Sequence, residues 1–172
     1  IQWHDKRFST DLIIGMGQDV TNEIYLQNQY KNLVQNAIDL IFEVDAQGKF
    51  LFINKFTLKT LGFKKQELLG QYHLDFVHKD FTQKIKEFYL TLSQDEQNFP
   101  TIEFPIVKKN GQLVWVSQKV IVNRNDIGKI IGYSGIARDI TKLKDVEFEQ
   151  KIRQQKVVAY NKTVKTLTTI KI

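Results

Sequence analysis

Ile130-Ile-Gly-Tyr-Ser-Gly-Ile-Ala-Arg-Asp139-Ile-Thr141 carries an apolar, strand-like run straight into an Asp-Ile-Thr that opens a helical pattern. The same design occurs earlier, in Ile13-Ile-Gly-Met-Gly-Gln-Asp19-Val-Thr21. The two Asp-x-Thr pieces lie 120 residues apart, a spacing that suits one whole domain per repeat rather than one solenoid unit. Residues 1–21 are therefore expected to be the closing strand remnant of a preceding copy. Residues 22–38 then form a linker helix, 39–141 a complete domain, and 142–172 a coiled-coil linker helix. On this reading the chain is a segment of a longer protein.

The central unit is of ordinary single-domain size and can bury a core. No apolar run approaches the ~20 residues that span a bilayer. The chain has no Cys, which excludes disulfides, thiolate catalysis, Cys-ligated metals and cysteinyl-flavin adducts and fits a reducing, cytoplasmic setting. The net charge of +6 is uneven: residues 142–172 hold eight Lys/Arg against three Asp/Glu. Such a run reads as a solvated helix face. It lacks the Arg clusters and interleaved aromatics of a nucleic-acid surface, so neither nucleic acid nor direct membrane insertion is expected.

Periodicity orders the rest. Leu26, Tyr30, Leu33 and Ala37 lie four and three apart, as one stripe of a helix does. Leu40–Asp45 and Lys49–Asn54 are β-rich runs around a Gly-containing turn, a hairpin pattern. Gly62 and Gly70 punctuate short helical stretches, and Phe81, Ile85, Phe88 and Leu92 mark one face of a longer helix over 79–93. Thr101–Lys108 alternates, with Pro105 arguing for an edge strand or a bulge. Asn110-Gly111 signals a hairpin, because both residues tolerate positive φ. Leu113–Val122 and Lys129–Ala137 complete the pattern. The expected fold is α+β, a five-stranded antiparallel sheet with helices on one face and flanking helices at both ends.

Several of these pieces, in order, resemble the PAS domain family over about residues 30–141. They are Leu40–Asp45 with Gly48, Phe52-Ile-Asn54, Leu61-Gly62-Phe63, Glu67-Leu-Leu-Gly70, Lys108-Lys-Asn-Gly111 with Val114-Trp115, and Gly135 through Arg138-Asp-Ile-Thr141. The sequence departs from the family at His78-Lys79-Asp80, where a His-Pro-x-Asp is common; Asp80 is expected to favour the helix start there. The resemblance implies a sensor or interaction module of a bacterial signal-transduction protein, foremost a two-component sensor histidine kinase. The kinase itself lies outside this chain, and no catalysis is expected of it. The implied partners are adjacent PAS and output domains and a second copy of the chain.

Candidate site residues follow. Phe42, Phe50, Phe52, Phe56, Phe63, Phe76, Phe81 and Phe88 are expected in or near the pocket that the family encloses. They suit a core filled by its own side chains or an apolar cavity for a small molecule. His73 and His78 are the candidate axial ligands if the domain were a haem sensor, against the plainer reading of satisfied or solvent-facing histidines. No catalytic or metal-ligand constellation is present in the sequence, and no cofactor is expected; a small-molecule ligand remains the alternative. Asp139 and Thr141 are expected to latch the last strand to the helix that follows, their oxygens accepting backbone N–H groups. Leu143, Val146, Val157, Tyr160, Val164 and Leu167, with Gln150 and Arg153 between them, form a heptad-like seam expected to dimerise. Phe148 and Ile152 form a second small stripe that could dock on the domain's own sheet.

Overall fold

The computed structural model describes residues 2–7, 13–18, 21–92 and 101–169, with side chains described for 22–92 and 101–160. Its strands are β1 (Gln2–Arg7), β2 (Ile13–Gln18), β3 (Leu40–Asp45), β4 (Phe50–Ile53), β5 (Thr101–Val107), β6 (Leu113–Arg124) and β7 (Ile130–Asp139). Its helices are α1 (Thr21–Asn36), α2 (Lys55–Leu61), α3 (Lys65–Leu68), α4 (Thr82–Leu92) and α5 (Thr141–Thr169). Two 3-10 turns, His73–Phe76 and Lys79–Phe81, precede α4. β1 and β2 pair only with each other, as an antiparallel two-stranded sheet. Asp19 and Phe8 lie outside the described residues.

The main sheet has the order β4-β3-β7-β6-β5 and every pairing is antiparallel. The expected α+β architecture is therefore present. Chain economy explains it: three hairpins share one loop plan. At each, the third and last loop residue is a Gly at positive φ that returns the chain. Gly48, Gly111 and Gly128 donate to the carbonyls of Asp45, Lys108 and Asn125. Asp45, Lys108 and Asn125 in turn donate to Lys49, Gln112 and Lys129. This is the three-residue loop with its last residue left-handed. At 110–111 only Gly111 takes positive φ, so the two-residue turn that Asn-Gly suggests does not form. The Asp45 and Asn125 side chains brace their loops by accepting two backbone N–H bonds each.

The core fills the space between the sheet and α2–α4. One cluster joins Leu40, Ile85, Leu92, Phe104, Val116 and Val120; the other joins Phe42, Val44, Ile53, Leu61 and Leu68. Gly132 and Gly135 let β7 run through the sheet centre. A Cβ at Gly135 would lie 2.2 Å from the Phe42 ring, and one at Gly132 would lie 2.3 Å from the Val44 carbonyl oxygen. Pro105 does sit on an edge strand. In α4 the fully buried row is Ile85, Tyr89 and Leu92, with Phe81 and Phe88 only half-buried. The stripe is thus turned by one residue from the expected one, because Tyr89 rather than Phe88 reaches the sheet.

The stretch 70–78 closes both edges of the sheet. On one side Gly70 donates to the Phe50 carbonyl, Phe50 donates to Gln71, and His73 donates to Gly48. On the other, Val77 bridges Ile106 and His78 donates to Pro105. Edges left open invite pairing with other chains, and here one strap covers both. The four Cα–Cα steps from His73 to Val77 reach about 14 Å at most. A flat sheet would set these outer positions about 29 Å apart, six strand spacings. The sheet must therefore curl around the space beneath the strap.

Asn54 anchors the entry to the sheet. It is fully buried. Its Nδ2 donates to the carbonyls of Val34 at 3.2 Å and Asp39 at 3.0 Å. Its Oδ1 accepts from Ile41 N, Thr57 N and Thr57 Oγ1. Asn54→Ala would strip the α2 cap and leave two carbonyls without their donor. We expect it to cost about 2–4 kcal/mol, read as a lower urea midpoint at unchanged slope. Asn54→Asp should cost at least as much at neutral pH, since a carboxylate would face the same two carbonyls.

Candidate functional site

A cavity of about 40 Å³ lies beneath the strap. Its walls come from β3 (Leu40, Phe42), β4 (Phe50), the strap (His73, Phe76), β5 (Phe104) and β6 (Val116, Gln118), among others. Of the eight phenylalanines expected in or near a pocket, Phe42, Phe50 and Phe76 line it. Phe52 is turned away by a β-bulge. The β3–β4 register pairs Glu43 with Phe52 and Val44 with Phe50, skipping Leu51, so Phe50 and Ile53 face inward and Phe52 does not. Phe56 packs on the first core cluster, Phe63 stands edge-on to Phe76, Phe81 to Trp115, and Phe88 to Tyr89.

The two candidate histidines occupy different settings. His78 begins the second 3-10 turn and accepts from Asp80 N at 3.4 Å, so the cap at this corner is His78 rather than Asp80. His73 faces the interior. Its Nδ1 lies 2.8 Å from the Gly48 carbonyl oxygen. A carbonyl only accepts, so Nδ1 carries the proton and the neutral ring leaves Nε2 as an acceptor. That Nε2 is buried and has no partner. Burial holds the His73 pKa below its ordinary value; the Gly48 carbonyl and Asp75 pull the other way and lose. The ring centroid is 4.8 Å from that of Tyr89. Gln118 donates to the Tyr89 hydroxyl at 3.2 Å, and burial pushes the Tyr89 phenol well above its usual range.

Gln118 and Thr57 bring polar groups to the cavity that the sequence reading did not name. Gln118 had a visible signal. It sits in phase with Val114, Val116 and Val120 along β6, the one amide in an inward row of valines. Thr57 had none, because its hydroxyl serves Asn54 across a turn of helix.

The sheet-to-helix junction is a second built feature. Asp139 Oδ1 accepts from Thr141 N at 2.8 Å. Thr141 Oγ1 accepts from Trp115 N at 3.0 Å, reaching into β6 rather than into the helix start. Ile140 N donates to the Trp115 carbonyl, and Lys144 joins Glu103 of β5 at 2.8 Å while lying over the Trp115 ring. Beyond this clasp α5 leaves the domain. Leu143, Val146, Val157 and Tyr160 are all exposed, as are Leu26, Tyr30 and Leu33 on α1. The side chains of Val164 and Leu167 lie outside the described residues. Phe148 is 65% exposed, so the second stripe does not dock on the domain's own sheet.

The outer face of the sheet forms an open groove of about 500 Å³, with Lys119, Ile121, Ser134 and Ile136 along it. At its rim Arg138 and Asp39 pair through two hydrogen bonds. Among the described residues no group of His, Cys, Asp or Glu is arranged to hold a metal ion. No helix among them is long and apolar enough to cross a membrane.

A family model described as the PAS fold matches residues 28–140. A diguanylate cyclase of Vibrio cholerae is 30% identical over 142 residues, 77% of this chain and 42% of the cyclase. Sporulation kinase C of Bacillus subtilis is 25% identical over 126 residues, 72% of this chain and 28% of the kinase. The chain thus spans less than half the length of these curated relatives. Among solved structures, the PAS domain of a Colwellia psychrerythraea protein superposes with a TM-score of 0.63 at 24% identity, covering 68% of this chain and 98% of that one. A sensory box histidine kinase/response regulator from Burkholderia thailandensis gives 0.60 at 15% identity, covering 76% and 98%. At these identities the structural likeness shows the fold.

The buried ring of His73 has a consequence for pH. Its folded pKa lies below the unfolded one. The stability this neutral ring contributes is complete above the unfolded value of about 6.5. It is lost as pH falls below that value towards the folded pKa, because the unfolded chain binds the proton first. Urea unfolding at pH 7.5 and 5.5 should therefore show a smaller loss on acidification for His73→Phe than for the unaltered chain.

Proposed function

We propose a function from a plain premise: the chain belongs to the PAS-fold family, whose model spans residues 28–140. The matched module is a sensory one. Our reading is that it relays a change in its core through α5 to an output domain, as a dimer, within a cytoplasmic signalling protein. The observation that carries the reading is the clasp of Asp139, Thr141 and Lys144 on β5 and β6. The first turn of α5 hangs from two backbone bonds to Trp115. Any shift of β6 against its neighbours therefore moves the root of the helix. Gln118, three residues along β6, lines the interior cavity, so a single strand joins core and exit.

A histidine kinase is the output we favour, in keeping with the likeness to sporulation kinase C and to the sensor protein kinase WalK of Staphylococcus aureus, 23% identical over 120 residues. The 30% identity to a diguanylate cyclase supports the second reading, the same relay feeding a cyclase. Both outputs suit a paired helical stem. The unpartnered stripe of Leu143, Val146, Val157 and Tyr160 suits a parallel seam, with α1 supplying a shorter stripe beside it.

Sedimentation velocity across a concentration series tests the assembly. The chain should be dimeric at micromolar concentration, and Val146→Glu with Val157→Glu should shift it to monomer while circular dichroism stays unchanged. A wild-type monomer at high micromolar concentration would contradict the dimer. Thr141→Val tests the clasp. It removes one acceptor from Trp115 N and should cost about 1 kcal/mol of domain stability. In the intact parent protein it should also change basal output, and an unchanged output would sink the relay reading.

A further inference from the structure

Residues 1–141 are nearly neutral, with 17 Lys/Arg against 16 Asp/Glu. Two short stretches depart from that balance. Residues 55–67 and 108–109 together hold six Lys and a single acid, Glu67. The fold brings them side by side at the surface, where the end of α2 meets the β5–β6 loop. There Lys59, Thr60, Gly62, Lys108, Lys109 and Asn110 line an open pocket of about 420 Å³. We propose that this pocket is a binding site for a small, free phosphate monoester, whose phosphate is held by Lys59, Lys108 and Lys109. The pocket lies outside the core, and buried Leu61 is the residue it shares with the interior cavity.

Charge is the first reason. Like charges gathered around one concavity repel, and an anion seated among them removes the repulsion. Lysine binds phosphate as a point charge. A phosphate monoester brings a charge of about −1.5 to −2 at pH 7 and three acceptor oxygens. Among the described residues neither Lys59 nor Lys108 has an acidic partner. Lys109 has one, Glu67 at 2.5 Å, which does not line the pocket. With Glu67 counted, the site keeps an excess of two positive charges.

The site is also built before any ligand arrives. Lys109 N donates to the Leu61 carbonyl at 2.9 Å and fixes the hairpin loop to the end of α2. Gly62 N donates to the Leu58 carbonyl at 2.9 Å. These two bonds occupy carbonyls at the negative end of the helix, which would otherwise repel an anion. Gly62 closes α2 at a φ of 77°, and a Cβ built there would lie 3.8 Å from that of Lys109. The two walls therefore stand in contact. Asn110 is held by two bonds of 3.0 Å with Gln112, and its Nδ2 retains a second N–H. The Thr60 hydroxyl adds a donor on the α2 side.

Size selects the kind of ester. The volume falls within the roughly 300–1,000 Å³ of small-molecule sites. It exceeds what a lone phosphate ion fills, so an organic body such as a sugar or a nucleoside fits beside the phosphate. A recess of this kind suits a free molecule better than a flat membrane surface. The binding does not rest on the relay reading proposed above.

The full chain, labelled with nitrogen-15, is titrated at pH 7.5 with adenosine 5′-monophosphate and with ribose 5-phosphate. The amide resonances of Thr60, Gly62, Lys109 and Asn110 should move along saturable curves with both. Adenosine and ribose, which lack the phosphate, should leave them unmoved, and inorganic phosphate should compete. Lys59→Gln and Lys108→Gln should each weaken binding about fivefold, and the double variant roughly tenfold or more. Lys119→Gln, on the outer face of the sheet, should change nothing. At pH 5.5, below the second phosphate pKa of about 6, binding should weaken. Shifts that grow only linearly, or an equal response to adenosine, would overturn the site. So would unchanged affinity in a folded Lys59→Gln/Lys108→Gln variant. Binding confined to vesicles carrying phosphatidate, a lipid phosphate monoester, with none to the two soluble esters, would also overturn it in favour of a membrane surface. Should the double variant not fold, the adenosine control and phosphate competition in the unaltered chain decide the matter alone. None of these readouts involves α5, so a failed relay would leave them unchanged.

Discussion

The side-chain amide of Asn54 uses both of its donors and accepts three bonds within a fully buried site. It holds the end of α1 through Val34, the approach to β3 through Asp39 and Ile41, and the start of α2 through Thr57. Buried amides are tolerable only when every partner is present. The geometry of three elements is therefore mutually dependent. Displacing any one leaves polar groups unpaired in the core. The first hairpin and the helical layer are locked together at this point, and the space above the sheet is defined by it.

The strap at 70–78 supplies the second constraint. It satisfies backbone groups on the outer sides of β4 and β5, and its short span forces the sheet to curl. Curling creates an interior that aliphatic and aromatic side chains nearly fill. What they leave is a space of about 40 Å³ with His73 at its wall. The same residue that pins the strap to the β3–β4 loop thus faces the remaining volume. Burial of that ring keeps it neutral and leaves its second nitrogen unmet. Near the start of β6, the clasp on Trp115 turns the sheet into the mount of a long exposed helix. Interior and exit are connected by the continuous backbone of one strand.

Much of this was legible in the residues. Alternation in Leu40–Asp45 and Leu113–Val122, glycine at each hairpin, and proline on an outer strand all follow from local rules: side chains alternate along a strand, glycine takes positive φ, and proline lacks a donor. The closing Arg138-Asp-Ile-Thr141 was readable too, since Asp and Thr before a helical pattern offer acceptors to nearby N–H groups. The candidate pocket was less so. Five of the eight named phenylalanines do not line the cavity. Phe52 was misplaced because a bulge at Leu51 shifts the face of every later residue in the strand by one. Phe88 yielded its place to Tyr89 because a helix stripe drifts, and an apolar ring and a phenol look equally suited to it until the partner strand is known.

Sequence by itself determined the order and kind of the elements, the hairpin loops, the family likeness and the exposed stripes on α1 and α5, since each depends on residues close together in the chain. Tertiary structure alone decided which nitrogen of His73 carries a proton, where the cavity lies, and that Thr141 reaches across to β6. These depend on meetings between residues 25 to 29 positions apart, such as His73 with Gly48, Tyr89 with Gln118, and Trp115 with Thr141. No local propensity encodes such meetings. They arise only when packing has brought the strap, α4 and β6 around one shared volume.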